Sequence, residues 1–202
     1  MKSIDSGYAG TDIPDDRGPI MSNGALGMLI FIMTELMFFA ALISAYLIVS
    51  APAKELQAWP PEGQPRLPVI LTAVNSLFLI ASGVCMHRAY RSFTDGVLGE
   101  ATSKLVKASL LLGCLFVAIQ GFEWIRLVSF GLTMTSSQYG AFFYLIIGTH
   151  ALHAIGALVA LKWLYGKLLR TELKQSTFQA MLFFWYFVVG IWPILYVLVY
   201  LT

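Results

Sequence analysis

One carboxylate stands alone in a long apolar stretch. Glu35 lies between Phe31 and the pair Phe38-Phe39, with Leu42 beyond, and none of these neighbours can hydrogen-bond to it. It falls about eleven residues into its stretch, roughly 16 Å deep at 1.5 Å per residue. A lone ionised carboxylate at that depth is costly, so Glu35 is expected to be protonated or paired across helices. Two readings follow: a proton-linked or conformationally sensitive carboxyl, or a neutral acid hydrogen-bonded for packing. His150 and His153 are spaced i, i+3 and share one helix face. Counted from its own end, His153 reaches the depth of Glu35, so the two could pair. Metal binding would need further ligands, and the only other histidine is His87. Interhelical hydrogen bonding is therefore predicted for both histidines, with no metal site.

Gln120, Glu123 and Arg126 follow at i, i+3 and i+6, so they stack on one face and Glu123 can pair with Arg126. They predict a capped, partly hydrated helix end. Asn75 and Ser82-Gly83, like Gly148, Gly156 and Ala160, predict close helix–helix contact. Trp59, Trp124, Trp163, Trp185 and Trp192 are read as an interfacial aromatic belt. Cys85 and Cys114 lack metal or disulfide spacing and predict small buried packing residues.

These side chains need elements that can hold them in lipid. Of 202 residues 58% are hydrophobic and only 12% charged, and the net charge of +2 argues against a nucleic-acid partner. Five continuous apolar runs cover roughly residues 24–50, 68–86, 105–122, 139–161 and 176–201. Each is about the twenty residues that cross a bilayer, and continuous rather than alternating patterning excludes strands. The expectation is an all-α membrane protein: a polar tail over 1–23 without a signal-peptide core, then one five-helix domain over 24–202. Breaks are expected at 51–67, rich in proline, and at 87–104, 126–138 and 162–175.

Basic residues set the orientation. With the N-terminus inside, the inner segments hold Lys2, Arg17, Arg88, Arg91, Lys104, Lys107, Lys162, Lys167, Arg170 and Lys174. The outer segments hold only Lys54, Arg66 and Arg126. The bias predicts a cytoplasmic N-terminus and an outer C-terminus.

Read in order, these landmarks resemble the subunit III family of haem–copper (cytochrome c) oxidases. The helix-1 signature appears as Thr34-Glu35-Leu36-Met37-Phe38-Phe39, with Ala45-Tyr46 after it. The loop Trp-Pro-Pro is Trp59-Pro60-Pro61, and the second-helix pattern appears in Asn75-Ser76 and Ala81-Ser82-Gly83-Val84. The Gln-x-x-Glu-aromatic signature is Gln120 to Trp124, and Gly-x-His-x-x-His is Gly148 to His153, followed by Gly156. Two departures stand out. The family's Trp-His-Phe-Val-Asp is here Trp185-Tyr186-Phe187-Val188-Val189. The chain also resembles only the last five helices of the seven-helix form, as short bacterial members do, with the missing pair supplied by an extended subunit I.

The resemblance implies a five-helix bundle of the subunit III type in a bacterial plasma membrane. It implies a non-redox accessory subunit that stabilises subunit I, binds phospholipid in a cleft between helices and supports proton uptake. Haem and copper would sit in partner subunits I and II, with none on this chain, and a respiratory supercomplex is a further possible setting. Glu35, Asn75, Gln120, Glu123, His150 and His153 are then the intramembrane polar residues of interest, and Trp59, Trp124, Trp185 and Arg126 the lipid or interface candidates. Related branches, a quinol oxidase or a nitric oxide reductase, stay open. Two other classes fit less well. A small transporter is disfavoured by the lack of repeats and broken helices. An intramembrane hydrolase would have only Ser82 and the two helix-4 histidines to work with.

Overall fold

A computed structural model describes residues 22–56, 59, 61, 67–96 and 100–201. The polar tail before Ser22, the turn residues Pro60, Gly63 and Pro65, and Thr202 lie outside them. The described elements are helices: α1 Asn23–Glu55, α2 Val69–Thr94, α3 Glu100–Ser129, α4 Gln138–Leu169 and α5 Gln175–Tyr196, the last passing into a π-helical turn, Val197–Leu201. All five are long and apolar enough to cross a membrane.

The helices outrun the apolar runs. Residues expected in loops continue them: Pro52 in α1, His87, Arg88 and Arg91 in α2, Lys104 in α3, Lys162 and Lys167 in α4. Hydropathy marks where hydrocarbon ends, whereas a helix continues until its backbone is capped; Lys and Arg are good helix formers. The caps explain the observed ends. Ser22 accepts from the Ala25 amide at 3.3 Å and Ser137 from the Gly140 amide at 3.0 Å. After α3, Gly131 takes φ +91° while the Gly131 and Leu132 amides reach back to Val128 and Leu127. After α4, Thr171 takes the same left-handed role at φ 56°, and the Thr171 and Glu172 amides bond to Leu168 and Lys167.

The packing divides the chain in two. Helix α2 pairs closely with α3, α3 with α4, α4 with α5, and α5 returns to α2, which closes a ring. Helix α1 lies outside the ring, along α5 and to a lesser extent α4. Only 6% of α1's most apolar stretch is buried, against 44% for α5, so α1 turns most of its surface outward. The ring closes over Trp185 and Trp192, both fully buried. Gly113 makes room for Trp185: a Cβ there would stand 2.8 Å from Leu158 and 2.9 Å from the indole. Gly83 does the same for Val189, at 3.2 Å. The close contacts expected at Gly148 and Gly156 are not formed. A Cβ at either would meet nothing within 4 Å, and Gly156 faces outward. Cys114 is also exposed rather than buried, while Cys85 is half-buried.

Candidate functional site

Glu35 and His153 meet. Their Oε2 and Nε2 atoms are 3.0 Å apart, joining α1 to α4. The equal depths set by helix arithmetic are what bring them together. The other ring nitrogen of His153 lies 2.9 Å from the Thr149 carbonyl oxygen. A carbonyl only accepts, so Nδ1 carries a proton and Nε2 is left to Glu35. One proton is then shared across the pair, held by the carboxyl or by the imidazole. Phe39 and Phe187 flank the His153 ring, at 5.5 and 6.0 Å between centroids. Both side chains of the pair are nonetheless partly open, at 19% and 17% of their surface.

His150, one turn away, is different. It is 1% exposed, stacks on Trp192 at 5.2 Å and meets the edge of Phe39. Neither ring nitrogen has a hydrogen-bond partner among the described residues. The interhelical hydrogen bond expected of His150 is therefore not made; the i, i+3 offset turns it into the ring, where its neighbours are aromatic.

A second polar group ties the ring together. Asn75 of α2 donates to the Phe116 carbonyl at 3.1 Å and approaches Gln120 Oε1 at 3.5 Å. Gln120 in turn donates to the Tyr200 hydroxyl at 3.0 Å. Trp192 donates to Ser76 at 2.7 Å, and the Tyr196 hydroxyl donates to the Val69 carbonyl. Lower in the same helix pair, Ser82 donates to the Ser109 carbonyl at 2.7 Å. Tyr196, Tyr200 and Ser109 were not singled out from sequence. Hydroxyls and indoles in apolar runs look like ordinary apolar or packing residues until the opposite helix is known.

Glu123 pairs with Arg126 at 3.4 Å, as its spacing predicts. The hydrated helix end does not hold for Glu123, whose side chain is only 4% exposed against 51% for Arg126. The carboxylate tucks under the bundle while the longer arginine reaches outward. The tryptophans also divide. Trp163 is exposed beneath Lys167, as an interfacial residue should be. Trp59 packs on Tyr46 and Tyr139, and Trp124 on Phe143 and Tyr144. Trp185 and Trp192 are core residues, so Trp185 cannot face lipid. Spacing along the chain places a tryptophan at a depth; it does not say which side of its helix faces inward.

The departure at Tyr186 has its own partner. Its hydroxyl hydrogen-bonds to Nδ1 of His87, and the two rings stack. His87 seemed to mark a helix end. Its placement seven residues before the end of α2 is what puts it opposite α5. The described residues contain no group of three or more His, Cys, Asp or Glu side chains placed to hold a metal ion.

The comparisons with known proteins bear on the same span. A family model described as cytochrome c oxidase subunit III matches residues 11–202. A probable cytochrome c oxidase subunit 3 from Nocardia farcinica is 33% identical over 182 residues, covering 87% of this chain and 86% of that protein. Cytochrome c oxidase subunit 3 of Petromyzon marinus is 34% identical, with 95% and 74% covered. That of Synechocystis sp. is 32% identical, with 87% and 74% covered.

Proposed function

The chain belongs to the cytochrome c oxidase subunit III family, and from that premise we propose how it serves the oxidase as an accessory subunit. It binds beside subunits I and II, which carry the haem and copper and perform the reduction of dioxygen by cytochrome c coupled to proton pumping. With three histidines in all, this chain supplies binding and support rather than redox ligands. Its place is the bacterial plasma membrane, with the N-terminus and the basic segments around Arg88–Lys107 and Lys162–Lys174 on the cytoplasmic side.

The observation that carries the reading is the Glu35–His153 pair on a helix that the ring holds only along one side. An outward-turned α1 offers a seam to lipid and to a larger partner, and a pair sharing one proton sits beside that seam. The apolar groove between α1 and α5, lined by Leu29, Ile32, Leu36, Phe183 and Gly190 among others, suits a phospholipid acyl chain. In this reading the subunit steadies subunit I, retains lipid and supports proton uptake from the inner side over many turnovers.

Affinity purification of the tagged chain in mild detergent, followed by a visible spectrum, tests the assignment. Haem co-purifying with large partner subunits is the expected result. A colourless, solitary chain would overturn it.

A further inference from the structure

A cavity of about 110 Å³ lies between α3 and α4, against Trp192. Phe116, Val117, Ile147 and Ala154 make it apolar. Its mouth is cut by small side chains, Gly121 on α3 and Ala151 on α4, beside the exposed Ile155. A Cβ at Gly121 would meet nothing within 4 Å, and Gly121 and Ala151 are both partly exposed, so the cavity's edge here reaches the outer surface of the helix pair.

His150 lines the same cavity and is 1% exposed, with both ring nitrogens unpartnered among the described residues. A neutral imidazole carries one N–H and one lone pair, and buried polar groups are ordinarily satisfied. Among the described residues the neighbouring Gln120 amide does not serve His150, being already engaged with Tyr200 and Asn75. The Trp124 indole also lines the cavity, and its N–H makes no hydrogen bond among the described residues.

The occupant therefore needs at least one polar atom, for one of the two ring nitrogens, and an apolar remainder. Water alone suits the space poorly. An ordered buried water needs two to four polar partners, and the surface lining this cavity is almost wholly apolar. A hydroxyl fits, because one oxygen can accept from the imidazole N–H or donate to its lone pair. We propose that the α3–α4 cavity is a binding site, entered sideways from the bilayer, for an apolar molecule bearing one hydroxyl, whose oxygen pairs with His150. Neither Glu35 nor His153 lines this cavity, and nothing in it rests on the oxidase assignment.

Photolabelling separates this site from a greasy hole. Membranes holding the chain in its native complex are irradiated with a diazirine-bearing octanol and, in parallel, the matching diazirine octane. The alcohol should label peptides spanning 116–124 and 147–155 about fivefold more than the alkane, the preference that one net hydrogen bond confers. Excess octanol should displace it. His150→Phe should lower alcohol labelling to the alkane level, and Ala151→Phe, which plugs the mouth, should remove labelling by both probes. Equal labelling by alcohol and alkane in the unaltered chain overturns the proposal. So does an alcohol preference that survives His150→Phe, or labelling of these peptides that survives Ala151→Phe. The mouth variant leaves the imidazole in place and keeps the test decisive where the His150 variant fails to accumulate.

Discussion

Helix α1 and the ring of α2–α5 are built on opposite terms. The ring is closed: its glycines admit bulky side chains, and its polar groups cross-link helices at Asn75, Gln120, Ser82 and Trp192. Helix α1 carries the longest uninterrupted helix and among the highest hydropathies, yet buries the least of it. Lipid tails are as apolar as leucine, so apolar surface alone does not drive helices together in a membrane. Close packing and hydrogen bonds do, and the ring has many where α1 has few. Among the described residues, the Glu35–His153 pair is a polar side-chain contact that joins α1 to α4. A closely tied ring and a loosely tied flank occur in one small chain.

The contrast breaks most sharply in the ring. Trp185→Ala empties the space shared with Gly113 and Leu158, and a buried Trp→Ala change costs roughly 3 kcal/mol or more through lost contacts. The chain should lose thermal stability in detergent and leave its complex. An equal loss of stability on truncating an outward residue such as Ile48 of α1, 74% exposed, would erase the distinction between the two regions.

A smaller loss is expected at Asn75. Asn75→Ala frees the Phe116 carbonyl and unties Gln120, and hydrogen bonds between membrane helices contribute about 0.6 kcal/mol on average and up to about 1.7. Thermal melts of the single Asn75→Ala and Tyr200→Phe variants and of the double should reveal coupling through Gln120. Simple additivity would show that the chain of contacts does not act as a unit.

Thr171 should move the other way. A non-glycine residue in the left-handed region is disfavoured by roughly 1 kcal/mol. Thr171→Gly at the end of α4 should therefore raise the melting point slightly. A decrease would mean that the threonine hydroxyl, which donates to the Arg170 carbonyl, outweighs the backbone strain.

Five helices, their order and the meeting of Glu35 with His153 were legible in the sequence because depth along a helix is simple counting. Rotation about each helix axis was not legible. Apolar residues surround a membrane helix on every side, so Trp185 inside and Gly156 outside look alike along the chain. Spacing put His150 and His153 on one face, yet a single turn of offset sends one to a carboxylate and the other into an aromatic ring stack. Helix ends were misplaced for a related reason: charged residues end the hydrocarbon but not the backbone hydrogen bonding, as Arg91 and Lys167 illustrate.

The smallest expected effect is the most informative about α1. Because the Nδ1–H of His153 donates to the Thr149 carbonyl, Nε2 can serve as an acceptor. The amide of Glu35→Gln can donate to that same atom at nearly the same length as the carboxyl it replaces. Association of α1 with the ring should then change by no more than a few tenths of a kcal/mol, as surface-level substitutions do. Oxygen reduction at the first turnover and the haem spectrum should be unaltered, while the reaction with a hydrophobic carbodiimide that the family resemblance implies for Glu35 should vanish, since an amide cannot form the adduct. Glu35→Ala removes the partner altogether, leaves the imidazole unsatisfied and opens a gap beside Phe39, so it should loosen the subunit more than the glutamine variant does. If Gln and Ala loosen it equally, the shared proton sits on the imidazole, and α1 is fastened as an ion pair. If Glu35→Gln abolishes oxygen reduction at the first turnover in an intact complex, α1 is no accessory flank, and the division between scaffold and flank has to be redrawn around Glu35.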